Sequence, residues 1–359
     1  MLKMVEVNLG DRSYQIVFEK GFTDLIVWLK EKYTSTKFLI VTDSHVKKYY
    51  ADELQQQMNK AHLKAEIYAF KAGEQQKKLN TIREIYDICI KNKCDRSSVI
   101  IALGGGVTGD IAGFAAATFM RGIEFIQVPT SLLAQVDSSV GGKVGVDYNG
   151  SKNIIGAFYQ PKRVYMNIET LRTLPKREFA AGLAEVIKHG IIYDATFFEK
   201  IEKNIEALLA LDADVLTEVI KRNCEIKANV VAQDEKEHGL RAILNFGHTI
   251  GHGIESASNF ELLHGECVAI GINAVFFIAY HKNMIPKSQW ERIIRLLEFV
   301  GLPITAKNIN KKEVYQHMLQ DKKRDKNQLK FILPHSIGKV VQTTDVSEEE
   351  IFAALEYVQ

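Results

Sequence analysis

Ser98-Val-Ile-Ile-Ala-Leu-Gly-Gly-Gly-Val-Thr-Gly-Asp110 decides how the first half of this chain folds. Ser98 to Leu103 is a short β-rich apolar run, and the glycines after it lead into a helical pattern. Gly104, Gly106 and Gly109 satisfy G-x-G-x-x-G, in which glycine lets the backbone approach a pyrophosphate at a helix start. The motif alone equally marks a plain tight turn, so its surroundings decide. Phe38–Thr42, Ala65–Phe70 and Phe125–Val128 are further strand-like runs, and 46–61 and 78–93 carry helical periodicity between them. Strand and helix alternating in this way predict an α/β, Rossmann-like, largely parallel sheet. The glycine turn follows a later strand than in the standard dinucleotide fold. Asp43, at the end of one strand run, is placed to hold a ribose hydroxyl. Pro129-Thr130-Ser131 ends another run with two hydroxyls at the edge where open α/β sheets bind ligands. A dinucleotide fits better than ATP, because Gly141-Gly142-Lys143 lacks the spacing and the Ser/Thr of a phosphate-binding P-loop.

After Pro175 the texture changes. Residues 176–188, 197–211, 215–232, 247–258, 266–280 and 288–300 all read as helices, and 327–333, closing at Pro334, reads as a late hairpin strand. The expected organisation is an α/β domain over 1–174, followed by a mainly α-helical domain over 175–359. With 359 residues, two domains agree with a prior of about 150 residues each.

Composition excludes several classes. A net charge of +2 marks no nucleic-acid partner. The apolar run from Cys267 to Tyr280 is interrupted by Gly271 and Asn273 and falls short of the ~20 residues a membrane span needs. No signal-peptide core opens the chain, and Cys89, Cys94, Cys224 and Cys267 lack C-x-x-C spacing. Reduced thiols and a cytoplasmic location are the expectation.

The second half carries the chemistry. Leu244-Asn-Phe-Gly-His-Thr-Ile-Gly-His252 and His264-Gly-Glu266 gather three of the ten histidines. Upstream, Ala184-Glu-Val-Ile-Lys-His189 sets a carboxylate and a lysine inside an apolar helix pattern. Two histidines with one carboxylate form a catalytic type of metal site that leaves a position open. Helix spacing alone selects His248 and His252, at i and i+4 on one face.

Several long motifs in order resemble the 3-dehydroquinate synthase family of sugar phosphate cyclases. They are Asp137-Ser-Ser-Val-Gly-Gly-Lys143, Ser151-Lys-Asn-Ile-Ile-Gly-Ala-Phe-Tyr-Gln-Pro161, Leu174-Pro-Lys-Arg-Glu-Phe-Ala-Ala-Gly-Leu-Ala-Glu-Val-Ile-Lys-His189 and Asn245-Phe-Gly-His-Thr-Ile-Gly-His252. The match runs from about Asp43 to Asp321-Lys-Lys323 and Ile337-Gly338. The resemblance implies the dehydroquinate synthase-like fold. It also implies NAD- and metal-dependent (zinc or cobalt) conversion of 3-deoxy-arabino-heptulosonate 7-phosphate, an anionic sugar-acid phosphate, into 3-dehydroquinate in the shikimate pathway.

Carried over position by position, the resemblance implies metal ligands Glu185, His248 and His264, with His252 beside the phosphate. It implies catalytic positions at Asp137, Lys143, Lys188, Glu237 and His252. Substrate positions fall on Arg121, Lys143, Lys152, Asn153, Lys188, Lys227, Arg241, Asn245, His252 and Lys330. NAD positions fall on Asp43, His45, Glu74, Lys77, Gly105, Gly106, Val107, Asp110, Thr130, Ser131, Lys143, Lys152 and Thr173. At His45 the family often has Asn. In isolation each lysine reads as a solvated surface charge, and its place inside a matched motif reverses that reading. The Arg121 position reaches a neighbouring subunit in family dimers, so a homodimer is implied.

Sister cyclases that act on substrates lacking a carboxylate resemble this chain too, but they lack the Arg241 arginine and have an acid at the Asn245 position. A polyol or glycerol dehydrogenase shares the domain order but needs no basic pocket. A dinucleotide-binding regulator would need none of Glu185, His248, His264, Lys143 and Asp137.

Overall fold

The structure is a computed structural model that describes residues 3–149, 151–258, 261–307, 309–322 and 329–359. Contacts divide the chain into two units. One comprises residues 1–174 and 216–232, the other 175–215 and 233–359. The helix over 216–232, grouped by sequence with the second domain, thus packs with the first unit.

The first unit is built on strands β1 (Lys3–Val7), β2 (Tyr14–Glu19), β3 (Lys37–Asp43), β4 (Lys64–Phe70), β5 (Val99–Gly104), β6 (Glu124–Pro129), β7 (Lys143–Tyr148), β8 (Ser151–Phe158) and β9 (Arg163–Asn167). Seven of them form one sheet in the order β1-β2-β9-β6-β5-β3-β4. Only β1 runs antiparallel to its neighbour. β7 and β8 form a separate antiparallel hairpin.

Both faces of the sheet are covered, so its strands read as continuous apolar runs rather than as alternations. Leu39, Val41, Ile100, Ala102 and Phe125 face a core shared with helices Leu79–Lys91 and Gly106–Thr118. Their neighbours Phe38, Ile40, Val99, Ile101, Leu103, Ile126 and Val128 face the opposite core, with helices Thr23–Lys32 and Asp52–Lys60.

The chain leaves β3 toward β4 on one side and leaves β5 toward β6 on the other. The carboxyl ends of β3 and β5 therefore flank a topological switch point, the place where open α/β sheets bind ligands. A Cβ at Gly109 would lie 2.6 Å from the Gln127 Oε1, so glycine there permits the close approach of helix Gly106–Thr118 to β6.

The second unit is mainly helical. Helices Lys176–Tyr193 and His264–His281 are buried along most of their lengths. Glycines bring the backbones together: a Cβ at Gly265 would collide with the Ala181 carbonyl, and one at Gly271 with that of Gly247. Gly247 itself is left-handed (φ 76°) and starts helix His248–Ala257. Strands β10 (Phe331–Ser336) and β11 (Lys339–Thr343) form the late hairpin, held by Gly338 N–H donating to the Ile191 carbonyl at 2.8 Å. The expected helix 197–211 is broken at Asn204 into Ala195–Lys203 and Ile205–Leu209. Lys323 and positions 327–328 of the expected strand lie outside the described residues. Among the described residues, no helix is long and apolar enough to cross a membrane.

Candidate active site

Three helices of the second unit bring Glu185, His248, His252 and His264 together. Glu185 sits within helix Lys176–Tyr193, while His248 and His264 are the first residues of their helices. The close helix crossings at Gly265 and Gly271 are what bring the two helix starts to Glu185. His248 Nε2 lies 3.4 Å and His264 Nε2 3.6 Å from the same oxygen, Glu185 Oε1. The donor nitrogens of His248, His252 and His264 lie within 4.8 Å of one another. Helix spacing and motif matching select different pairs of histidines, and the fold gathers all three.

Glu185 is fully buried. Its Oε2 meets the buried Lys188 ammonium one turn along the helix, and Lys188 also donates to the Leu244 carbonyl at 2.7 Å. Burial opposes ionisation of Glu185, but Lys188 and the two imidazoles hold the carboxyl well below its usual range. Burial and the Lys188 charge push His248 down. For His264, burial is outweighed by Glu185 and Glu255, which push it up to about 10. A buried carboxylate with one oxygen on an ammonium and the other facing two converging imidazole nitrogens suits a divalent metal of the zinc or cobalt kind.

Around this cluster, Arg241 is buried, donating from its backbone N–H to Asp234 Oδ2 at 3.0 Å and from its guanidinium to the Glu235 carbonyl. Asn245 Nδ2 donates to Glu237 Oε1 at 2.5 Å. Lys330 is exposed, and its carbonyl accepts from the Thr249 hydroxyl at 3.0 Å, which ties it to the helix that begins at His248.

The first unit carries the other expected residues. Parallel strands deliver Asp43, Gly105, Gly106, Val107, Thr130 and Ser131 to one sheet edge. Asp43 Oδ1 accepts the N–H groups of His45 (2.8 Å) and Val46 (3.1 Å), and His45 is exposed. Gly105 precedes helix Gly106–Thr118, Asp110 lies in that helix's first turns, and Thr130 N–H donates to the Gly104 carbonyl at 2.9 Å. Lys77 is buried, 2.6 Å from Asp110 Oδ2 and 2.5 Å from Asn153 Oδ1. Burial works against its charge, yet Asp110 and Glu74 raise its pKa. Lys152 pairs with Glu74 at 3.5 Å. Thr173 follows β9, its hydroxyl 2.6 Å from that of Tyr50.

Lys227 Nζ lies 2.6 Å from Asp137 Oδ1, and Asn223 Nδ2 donates to the Val136 carbonyl at 2.7 Å. Lys143 opens β7 directly after the left-handed Gly141 and Gly142. Arg121 is not brought to the cofactor edge: it lies beyond the far end of helix Gly106–Thr118, about 20 Å along its axis.

Two residues at the histidine cluster escaped the sequence reading. Glu255 is buried with Oε2 3.5 Å from His264 Nδ1. Its signal was the i, i+4, i+7 stripe His248, His252, Glu255 on one helix face. Arg177 grips Glu266, two residues after His264, and only the tertiary fold makes that pair visible.

Comparison with known proteins bears on these observations. The family model described as 3-dehydroquinate synthase N-terminal matches residues 67–181, and that described as 3-dehydroquinate synthase C-terminal matches residues 182–324. A curated 3-dehydroquinate synthase from Acetivibrio thermocellus is 50% identical over 98% of this chain and 97% of its own length. Among solved structures, 2-epi-5-epi-valiolone synthase from Streptomyces hygroscopicus, with NAD+ and Zn2+ bound, superposes with a TM-score of 0.90 at 26% identity, covering 98% of each chain. A 2-deoxy-scyllo-inosose synthase complexed with carbaglucose-6-phosphate, NAD+ and Co2+ gives 0.89 at 26% identity, covering 99% of this chain and all of the other. The dehydroquinate synthase-like fold is thus shared over essentially the whole length. With both halves matched in order and half of all positions identical to a curated relative, the chain belongs to the 3-dehydroquinate synthase family.

Proposed function

We infer that this chain catalyses the NAD- and metal-dependent cyclisation of 3-deoxy-arabino-heptulosonate 7-phosphate to 3-dehydroquinate, with release of phosphate. A ring hydroxyl is oxidised and phosphate leaves by elimination. NAD+, when bound, would accept the hydride from that hydroxyl and give it back after phosphate has left, so that ring opening and an intramolecular aldol close the carbocycle with no net redox change. The observation that carries the reading is the convergence of His248 and His264 on one oxygen of the buried carboxylate of Glu185, in a chain half identical to a curated family member.

Glu185, His248 and His264 would hold the metal, whose chemistry when bound is Lewis-acid polarisation of substrate oxygen. His252 lies against both histidines and is assigned to the phosphate. In the second unit, Lys188, Arg241, Asn245 and Lys330 are assigned to the anionic substrate, with Glu237 orienting Asn245. A guanidinium at Arg241 suits a carboxylate, which it can grip with two parallel hydrogen bonds.

In the first unit, NAD is assigned to Asp43, His45, Glu74, Lys77, Gly105, Gly106, Val107, Asp110, Thr130, Ser131 and Thr173, with Lys143 and Lys152 serving both cofactor and substrate. Helix Gly106–Thr118 supplies unpaired N–H groups and a positive dipole end to a pyrophosphate. Asn153, Lys227 and Asp137 are assigned to substrate, Asp137 as a proton-handling carboxylate poised by Lys227. Arg121, set apart, is assigned to the phosphate of a second copy in a cytoplasmic homodimer.

The deciding assay follows phosphate release from the heptulosonate phosphate with catalytic NAD+, before and after chelation, while recording NADH absorbance. Chelator-sensitive release without net NADH supports the reading. Steady NADH from a simple polyol, with no phosphate released, sinks it in favour of a dehydrogenase.

A further inference from the structure

His248 and His264 meet Glu185 in the same way, but their far ring nitrogens are held differently. His248 Nδ1 lies 3.0 Å from the Phe246 carbonyl, a neutral backbone acceptor. His264 Nδ1 lies 3.5 Å from Glu255 Oε2, a carboxylate on a different helix. Glu255 is only 5% exposed, and a carboxylate is seldom buried without a positive or hydrogen-bonding partner to face. It lies on the helix face that also carries His248 and His252, so that helix contributes both imidazoles and the support for the third.

We propose that Glu255 is a positioning residue of this centre: its carboxylate accepts the Nδ1–H of His264 and so fixes the tautomer that presents Nε2 to a divalent metal. This rests on the metal-dependent reading above. The two imidazoles are then unequal ligands. The one backed by a charged acceptor is more strongly oriented and more basic, and the one backed by a carbonyl is held by the backbone alone. Loss of Glu255 would free the His264 ring to turn or change tautomer, while leaving Glu185 and His248 in place.

The test uses the full chain with Glu255→Gln, Glu255→Asp and Glu255→Ala. Metal affinity is measured by competition with a coloured chelator for Zn2+. The visible spectrum of the Co2+-loaded protein is recorded, and thermal melts are run without metal to establish folding. The expected order of affinity is parent, then Gln (which keeps an acceptor but loses the charge), then Ala. The loss should be about 10-fold for Gln and nearer 100-fold for Ala, with a shifted Co2+ spectrum in both. A residue that only supports the fold would lower the metal-free melt and leave the Co2+ spectrum of the folded fraction unchanged. Unchanged affinity and spectrum in folded Glu255→Gln overturn the proposal. If that variant does not fold, Glu255→Asp, whose carboxylate is drawn back by one methylene, decides by the same two readouts. A parent protein that binds no metal would sink the metal-dependent reading itself, an outcome separate from a parent that binds and variants that match it.

Discussion

Arg177 and Glu266 form a two-pronged pair, Nε to Oε1 and Nη2 to Oε2, each at 2.7 Å. Glu266 also accepts the Leu263 N–H at 2.8 Å, and Arg177 reaches the Glu261 carbonyl at 3.0 Å. The pair ties the helix of Glu185 to the first turn of the helix that begins with His264. Arg177 is largely exposed, so its contribution to stability is modest, about 1 kcal/mol. Arg177→Ala should lower the melting temperature slightly and speed metal loss to chelator more than the stability change accounts for. Parent-like loss kinetics would show that the pair does not hold His264.

Glu185→Gln removes one of the three proposed metal ligands and also strands the Lys188 ammonium, which is buried beside it. Breaking a buried pair on one side costs about 3–5 kcal/mol. The single variant should therefore lose metal and melt well below the parent. Glu185→Gln combined with Lys188→Met should recover much of the stability and none of the metal. Elemental analysis beside thermal melts separates the two effects, and a fully metallated Glu185→Gln would remove Glu185 from the ligand set.

Lys77, buried, and Asp110, partly buried, form the corresponding pair in the first unit. Burial raises the Asp110 carboxyl above its ordinary value, and the Lys77 charge opposes that rise. Lys77→Met removes the opposition, so the folded-state value climbs further. A carboxyl raised in this way supports folding below its unfolded value, and the support is lost as pH rises through the folded one. The stability deficit of Lys77→Met should therefore be larger at about pH 8 than at about pH 5, read from melts across that range. A deficit that shrinks with rising pH would contradict the pairing.

Arg241 is held by Asp234 and Glu235 in a fixed orientation. Arg241→Lys keeps the charge and loses the planar fork. It should lower kcat/KM about 10–100-fold, mostly through KM, as expected when a charged hydrogen bond worth about 1.5–3 kcal/mol is lost. Unchanged substrate affinity would remove the carboxylate role.

The central strands were legible because each is buried on both faces and carries a largely apolar run: Phe38–Thr42 and Phe125–Val128 fall within strands only slightly longer. The β7–β8 hairpin was not, because Gly145 and Gly156 interrupt its apolar positions and Lys143, Lys152 and Asn153 within it read as chemistry rather than as strand. The N-terminal pair β1–β2 lies at the sheet margin, where five- and six-residue strands give little periodicity. At the site, histidine spacing alone pointed to a metal, and Glu185 stood out as an acid in an apolar helix. Neither could say that Glu185 and His264 would meet the His248–His252 pair, because that depends on how closely the helices cross at Gly265 and Gly271. The pairing of Glu255 with His264 depends on the same crossing.

Residues 216–232 pack with the first unit although the chain on both sides of them belongs to the second. Asn223 and Lys227, from that returning segment, hold Val136 and Asp137. The polypeptide therefore passes from one unit to the other three times, at 174/175, 215/216 and 232/233. No single cut yields either unit whole. A fragment ending at Leu174 would lack the partners of Val136 and Asp137, and the remainder would carry an amphipathic helix without the unit it packs on. The two halves are interleaved in sequence, so neither can be exchanged as a cassette between related enzymes without taking part of the other with it.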